Sequence, residues 1–353
     1  MKMNKNIIAI IYAVAAAAFY ALNVPCSKIL LQNISPVFMA GLLYIGAGLG
    51  VGILYLFNFK KEQKSERLDK NYLPYTIGMI FLDIVAPILL MLGVKYGTSS
   101  NASLLGNFEI VATALIALII FKEKVTWRLW LAILFITASS IILSFENIEG
   151  LNFSIGSLFV LGATICWGLE NNCTRRMSDK STYQIVTIKG LCSGFGSIIV
   201  AFVSGETDFT LKYIPFALLL GFVSYGLSIF TYIRAQKYLG AAKTSAYYSI
   251  APFIGTFLAF VLLKEKISTK YISALFVMII GTAFAVYDTL IRKHLHGHRH
   301  TFTHTHNGIT HTHTISHSHL HNHFISDLKH GHHHSIEELE NELKIEAEKE
   351  KNT

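Results

Sequence analysis

Apolar runs of about 20 residues, the length that crosses the hydrocarbon layer of a bilayer, recur through the first 293 positions of the chain. They lie at 7 to 31, 36 to 58, 72 to 93, 98 to 121, 126 to 144, 154 to 174, 182 to 204, 214 to 237, 242 to 263 and 270 to 291. The polar connections are short, the longest running from Phe59 to Asn71. This pattern predicts an all-α integral membrane bundle of ten helices with no extramembrane domain between spans. Beyond Arg292 the apolar rhythm stops, and a polar tail follows.

Composition sharpens the division. Of 353 residues, 52% are hydrophobic and 15% charged, where a soluble domain carries roughly 25% charged residues. All 16 histidines fall after residue 293. The formal net charge of +8 does not point to nucleic acid, because the basic residues sit in short clusters between apolar runs, as loop charges that orient a membrane protein do. With the N-terminus inside, 18 basic residues face the cytoplasm and 6 (Lys28, Lys95, Lys212, Lys264, Lys266 and Lys270) face outward. Both termini are then cytoplasmic, in the cell membrane. Lys2 and Lys5 before an apolar run also fit a cleavable signal, but that segment has a counterpart in the second half. Cys26, Cys166, Cys173 and Cys192 lie within apolar runs and imply no disulfide framework.

The strongest pattern is internal. Val94 to Val125 (VKYGTSSNASLLGNFEIVATALIALIIFKEKV) aligns without gaps on Gln236 to Ile267 (QKYLGAAKTSAYYSIAPFIGTFLAFVLLKEKI), at a separation of 142, and YALNVPCSK from Tyr20 matches WGLENNCTR from Trp167. Two five-span halves result, residues 1–146 and 147–293. Because five is odd, the second half enters the bilayer in the opposite sense, as in inverted-repeat carriers with a site near the midplane.

These residues resemble the EamA branch of the drug/metabolite transporter superfamily across about residues 7 to 291. The specific elements are the Lys-Glu-Lys turns (Lys122 to Lys124, Lys264 to Lys266), Pro252 in the ninth span and the tryptophan-bearing sixth span. The resemblance implies a ten-helix carrier of small molecules without a built-in ATPase. The chain departs from the pattern in its fourth span, where Ile110 stands at the position of Pro252 with Glu109 beside it.

Ionisable groups inside a bilayer face a cavity or a partner. Asp83 and Glu109 are mid-span on one predicted hairpin at similar depth, with no basic residue expected there. Desolvation and repulsion between them would favour a shared, exchangeable proton. Glu170 and Lys189 each lie about two turns from the loop joining spans six and seven, and could form a structural ion pair or contact substrate. Pro87 removes the helical partner of the Asp83 carbonyl, and Pro252 that of Tyr248, so broken helices at matching positions are expected. Asn23, Tyr225 and Tyr248 complete the candidate substrate contacts; Tyr20, Tyr225, Tyr247 and Tyr248 could equally be interfacial anchors. Cys166, Glu170 and Cys173 share a helix face, which would suit a soft cation or simple packing.

The tail carries His294, His296, His298, His300, His304, His306, His311, His313, His317, His319, His321, His323, His330, His332, His333 and His334. Neutral imidazole is the commonest ligand for such metals as zinc and nickel, and the Thr, Ser and Gly between them resist packing. Residues 294–334 are therefore read as a disordered segment that binds zinc, nickel or cobalt, the alternative being biased composition of no consequence. Residues 335–353 follow as a short acidic helix, with Ser335 and Glu338 as a capping box and Ile336, Leu339 and Leu343 on one face, offering a seam for a homodimer.

The function expected is secondary transport of a small molecule or cation, a divalent metal among the candidates and proton coupling a consequence of the carboxylates. The alternative is a membrane-anchored metal buffer or sensor acting through its tail. No resident cofactor is required, and no His-Glu-x-x-His, serine elbow or phosphate loop suggests an enzyme.

Overall fold

The structure is a computed structural model that describes residues 5–58, 67–121, 125–147, 152–177, 180–306 and 309–324. It divides into two units, Met1–Asp288 and Thr289–Thr353.

The first unit is helical apart from a small β1–β2 pair (Phe145–Asn147 with Asn152–Phe153) and an isolated bridge between Ile34 and Phe209. Its helices are α1 Lys5–Ala21, α2 Asn23–Leu30, α3 Pro36–Asn58, α4 Leu73–Tyr96, α5 Ser99–Leu105, α6 Phe108–Phe121, α7 Trp127–Ser144, α8 Ile155–Arg175 and α9 Thr182–Ser204. The remainder are α10 Ile214–Gly221, a π-helical turn Phe222–Leu227, α11 Ser228–Tyr248, α12 Ala251–Leu263 and α13 Thr269–Leu290. Short side chains start several of them: Thr98, Thr126, Ser154 and Ser181 each accept a hydrogen bond from a backbone N–H of the first turn.

Among the described residues, eight helices are long and apolar enough to cross a membrane. The sixth and ninth expected spans are helices too, but α8 is polar near its end, with Glu170, Asn171, Asn172 and Thr174, and α12 is shorter. Outward-facing Ile53, Phe57, Phe81, Val203 and Phe276 give the bundle an apolar surface on many sides. A water-soluble protein would not expose so much; lipid accepts it.

Several breaks differ from expectation. Pro87 lies inside α4, and the helix continues through it, as membrane helices allow where neighbours satisfy the freed backbone. The first span instead breaks at Leu22, where Pro25 denies the Ala21 carbonyl its helical partner. The fourth span breaks at Gly106–Asn107 with no proline. Its repeat equivalent, after Tyr248, is also a break, completed by Pro252 in the first turn of α12. Residues 238 to 241, expected as a turn between spans eight and nine, continue α11.

The packing obeys the repeat. The span formed by α3 packs on that of α9. The pair α4 with α8 has its mate in α1 with α11, and α6 with α8 has its mate in α12 with α1. Exchanging each span with the one five places later maps this set of contacts onto itself. The α3–α9 seam at its centre is closed by glycine. A Cβ built on Gly190 would lie 2.4 Å from Gly48 backbone atoms, and one on Gly48 would lie 2.6 Å from the Leu191 nitrogen. Small residues spaced by four, as in Gly190 and Gly194, let membrane helices approach in this way.

In the second unit, β3 Ile291–His306 pairs antiparallel with β4 Ile309–Phe324. Composition alone suggested disorder there; the alternation of His with Thr and Ile also satisfies the period of two of a strand. The dipeptide Asn307-Gly308 between them is a strong hairpin signal in the sequence. The acidic segment 335–353, with His330, His332, His333 and His334, lies outside the described residues.

We expect Gly48→Leu to lower the unfolding temperature in detergent, with a loss of at least about 1–3 kcal/mol from overpacking. Gly52→Ala should be tolerated, since its Cβ would meet only the Thr187 side chain at 3.4 Å.

Candidate substrate site

A charged cluster joins four helices near the middle of the bundle. The Tyr44 hydroxyl on α3 donates to Asp83 Oδ1 on α4 at 2.9 Å. Lys189 Nζ, on α9, lies 3.1 Å from Asp83 Oδ2 and 3.0 Å from Glu170 Oε1 on α8. Thr174, one turn further along α8, donates to the same Glu170 oxygen. Asp83 is fully buried and Glu170 nearly so.

Helix arithmetic explains how these groups meet. At 1.5 Å per residue, Glu170, Lys189 and Asp83 lie about 8, 10 and 15 Å from the helix ends on the side where α1 begins. The lysine stem spans the difference in height. Desolvating one such charge costs several kcal/mol, and only compensating partners keep it inside a bilayer. Here two helices each supply a carboxylate and a third supplies the ammonium.

Aromatic and amide groups extend the cluster. Asn23 Nδ2 donates to the Tyr225 hydroxyl at 2.9 Å, and Ser27 donates to Asn23 Oδ1 at 3.2 Å. The Tyr225 ring lies 5.0 Å from that of Tyr44 and 5.9 Å from that of Tyr20, which in turn lies 5.9 Å from Tyr248. Glu109 stands apart from the ion pairs: Asn171 Nδ2 donates to its Oε1 at 2.6 Å and to Thr113 Oγ1 at 3.4 Å.

The structure thus rearranges the expected groupings. Asp83 and Glu109, anticipated as one carboxylate pair, have different partners, because Tyr44 of α3 and Lys189 of α9 meet Asp83 while Asn171 of α8 meets Glu109. The absence of a basic residue at that depth, expected from the spans alone, is corrected by Lys189, which the α4–α9 packing brings to Asp83. Lys189 with Glu170 forms an ion pair, and Asn23 joins Tyr225. Tyr225 is buried, whereas Tyr247 is over a third exposed. Cys166 and Cys173 are half-buried free thiols, the latter near Gly78 of α4, and no group of three or more metal-ligating side chains occurs among the described residues. Tyr44, Asn171 and Thr174 escaped the sequence reading; Tyr44 shares α3 with a second tyrosine, Tyr55, and nothing local sets it apart.

Two hollows open at the end of the bundle where α2 finishes, of ≈ 610 and ≈ 620 Å³. Asn33, Ser35, Lys95 and Glu206 line the first, and Thr98, Asn101, Ser268 and Lys270 the second. Neither is lined by Asp83, Glu109, Glu170 or Lys189. Main-chain bonds link the two halves at this end, from Ser35 N to Asp208 O at 2.7 Å and from Thr210 N to Asn33 O at 3.0 Å.

This architecture has relatives. The EamA-like transporter family matches residues 7–145 and 154–287, one copy per half. The chain belongs to that family. An uncharacterized transporter of Methanothermobacter thermautotrophicus is 25% identical over 290 residues, covering 78% of this chain and 84% of the relative. Another from Clostridium kluyveri is 25% identical over 287 residues, covering 77% and 91%. A third, from Bacillus subtilis, is 26% identical over 223 residues, covering 60% and 73%. A solved structure titled only as the crystal structure of a protein superposes with a TM-score of 0.59 at 15% identity, covering 80% of this chain and 98% of that one. It shares the fold. The protein is therefore an integral membrane transporter of the EamA type, with two EamA domains, and not an enzyme.

Replacing Lys189 with Met should leave two buried carboxylates without their cation, at a cost of about 3–5 kcal/mol. Adding Asp83→Asn and Glu170→Gln should restore much of the loss, so that thermal unfolding of the single, double and triple variants gives strongly non-additive values.

Proposed function

We propose that this EamA-type transporter is a secondary carrier whose small solute passes between the two repeats and engages the Asp83–Lys189–Glu170 cluster, with proton exchange at the carboxylates. The observation that carries this reading is a mostly buried lysine held by buried carboxylates from two other helices, where the repeats meet. Charges so costly to bury are commonly found on substrate and proton pathways of membrane carriers. A site between inverted halves is reachable from either side when one half rocks against the other. Asn23, Tyr225 and Tyr248 would complete the pathway around it, and Glu109 with Asn171 would flank it. The charge bias of the loops supports an orientation with both termini in the cytoplasm.

A second reading concerns the histidine-rich unit. Its strand register sets His294 opposite His321, His296 opposite His319, His298 opposite His317 and His304 opposite His311. Cross-strand neighbours of this kind can share a zinc, nickel or cobalt ion. This favours an accessory metal-buffering role for the second unit, beside transport by the first.

In liposomes carrying an entrapped pH dye, we expect the purified protein to move a solute from a panel of amines, amino acids and divalent ions, with accompanying proton flux. Asp83→Asn and Glu170→Gln should each lower the rate tenfold or more. A protein that moves neither solute nor protons under any gradient overturns the carrier reading. For the tail, deleting residues 294–353 should lower cellular zinc, nickel or cobalt tolerance and leave liposome transport intact; unchanged tolerance removes the metal role.

A further inference from the structure

We propose that the carried solute bears a primary ammonium group, and that Lys189 is a tethered stand-in occupying the seat this group takes during transport. The inference deepens the carrier reading above and rests on it. Asp83 and Glu170 are buried carboxylates, Glu109 is a part-buried one in the same region, and Lys189 is the cation paired with the first two. Two carboxylates thus face one ammonium in the cluster itself, a setting that favours cations over anions.

The donor and acceptor pattern narrows the class of cation. Asp83 Oδ1 already accepts from Tyr44, and Glu170 Oε1 from Thr174. The cluster's present occupant is a compact group of N–H donors that reaches Asp83 Oδ2 and Glu170 Oε1 together. A primary ammonium, with three N–H donors on a tetrahedral nitrogen, replaces it one for one. Zinc requires about four ligands near 2.0–2.3 Å, and the ammonium beside these oxygens would oppose it. A quaternary ammonium has no N–H to donate.

The geometry of the lysine permits exchange. Its backbone lies about two turns from the start of α9, so a long apolar stem can carry a displaced ammonium toward the aqueous end of the bundle. The arriving amine then keeps both carboxylates compensated while Lys189 is away, and return of the lysine expels the amine. Each exchange conserves the charge of the cluster. Lys189 would thus be a positioning residue that sets affinity by competing, rather than one that grips the solute.

The full-length protein in lipid nanodiscs tests this with n-propylammonium, using n-propanol and propionate as uncharged and anionic controls. In Lys189→Ala, millimolar propylammonium should raise the unfolding temperature by several degrees, and more than in wild type, with no effect of either control. In Lys189→Gln, the apparent KM for the amine should fall about tenfold relative to wild type. Should Lys189→Ala not fold, calorimetric titration of wild type decides the matter: propylammonium binding in competition with other primary amines supports the proposal, and no binding overturns it. Equal stabilisation by propanol, or a higher KM in Lys189→Gln, also overturns it. If only neutral or anionic solutes are carried, the carrier reading stands and this inference falls. If propylammonium binds yet no solute moves under any gradient, the carrier reading falls while the ammonium seat remains supported.

Discussion

Burying a charge in a bilayer is tolerated only when partners compensate it, and this constraint organises the centre of the protein. Lys189 and Glu170 come from consecutive helices of the second half, and Asp83 from a helix of the first half that is remote in sequence and adjacent in space. The position of each helix along its axis is bounded by the need to keep these three groups within about 3 Å of one another. A slide of one turn, about 5.4 Å, would strand a charge in the apolar interior. The cluster therefore acts on packing as well as on chemistry.

Two further devices bring the charged groups together. Glycines along α3 and α9 allow backbones to approach until a methyl group would not fit, which draws the first and second halves together next to the cluster. Breaks at Gly106–Asn107 and after Tyr248 fall at corresponding positions of the repeats. They interrupt the fourth and ninth spans where the two halves face each other through α5 and α12. Duplicated sequence thus yields duplicated irregularity, and irregular backbone in a membrane is sustained where it is buried in protein or lines a water-filled cavity.

Membrane class, the two halves and their kinship were legible from residue order, because hydrophobic length and self-similarity are one-dimensional properties. So was the suspicion attached to Asp83, Glu109, Glu170 and Lys189, since any charge inside an apolar run stands out. The meeting of Glu170 with Lys189 was legible as well, since one short loop joins their helices, but the partners of Asp83 and Glu109 were not. The pairing of Asp83 with Glu109 followed from adjacency in one hairpin, whereas the partners observed come from α9 and α8, which no local pattern brings there. Tyr44 shows the same limit: its hydroxyl matters because Asp83 lies across the helix interface, and a tyrosine in an apolar span looks like any other. Pro87 illustrates a different failure, in which a strong local breaker is overruled by surrounding helices.

Residue order by itself determined that this chain lives in a membrane as two related five-span halves, because burying apolar length and repeating it need no knowledge of neighbours. Tertiary structure alone decided which partners compensate Asp83 and Glu109, and that the first and fourth spans break while the helix at Pro87 does not. Those outcomes depend on distances between segments remote in the chain, such as the 3.1 Å between Lys189 and Asp83, and electrostatic energy in a medium of low dielectric varies steeply over just such distances.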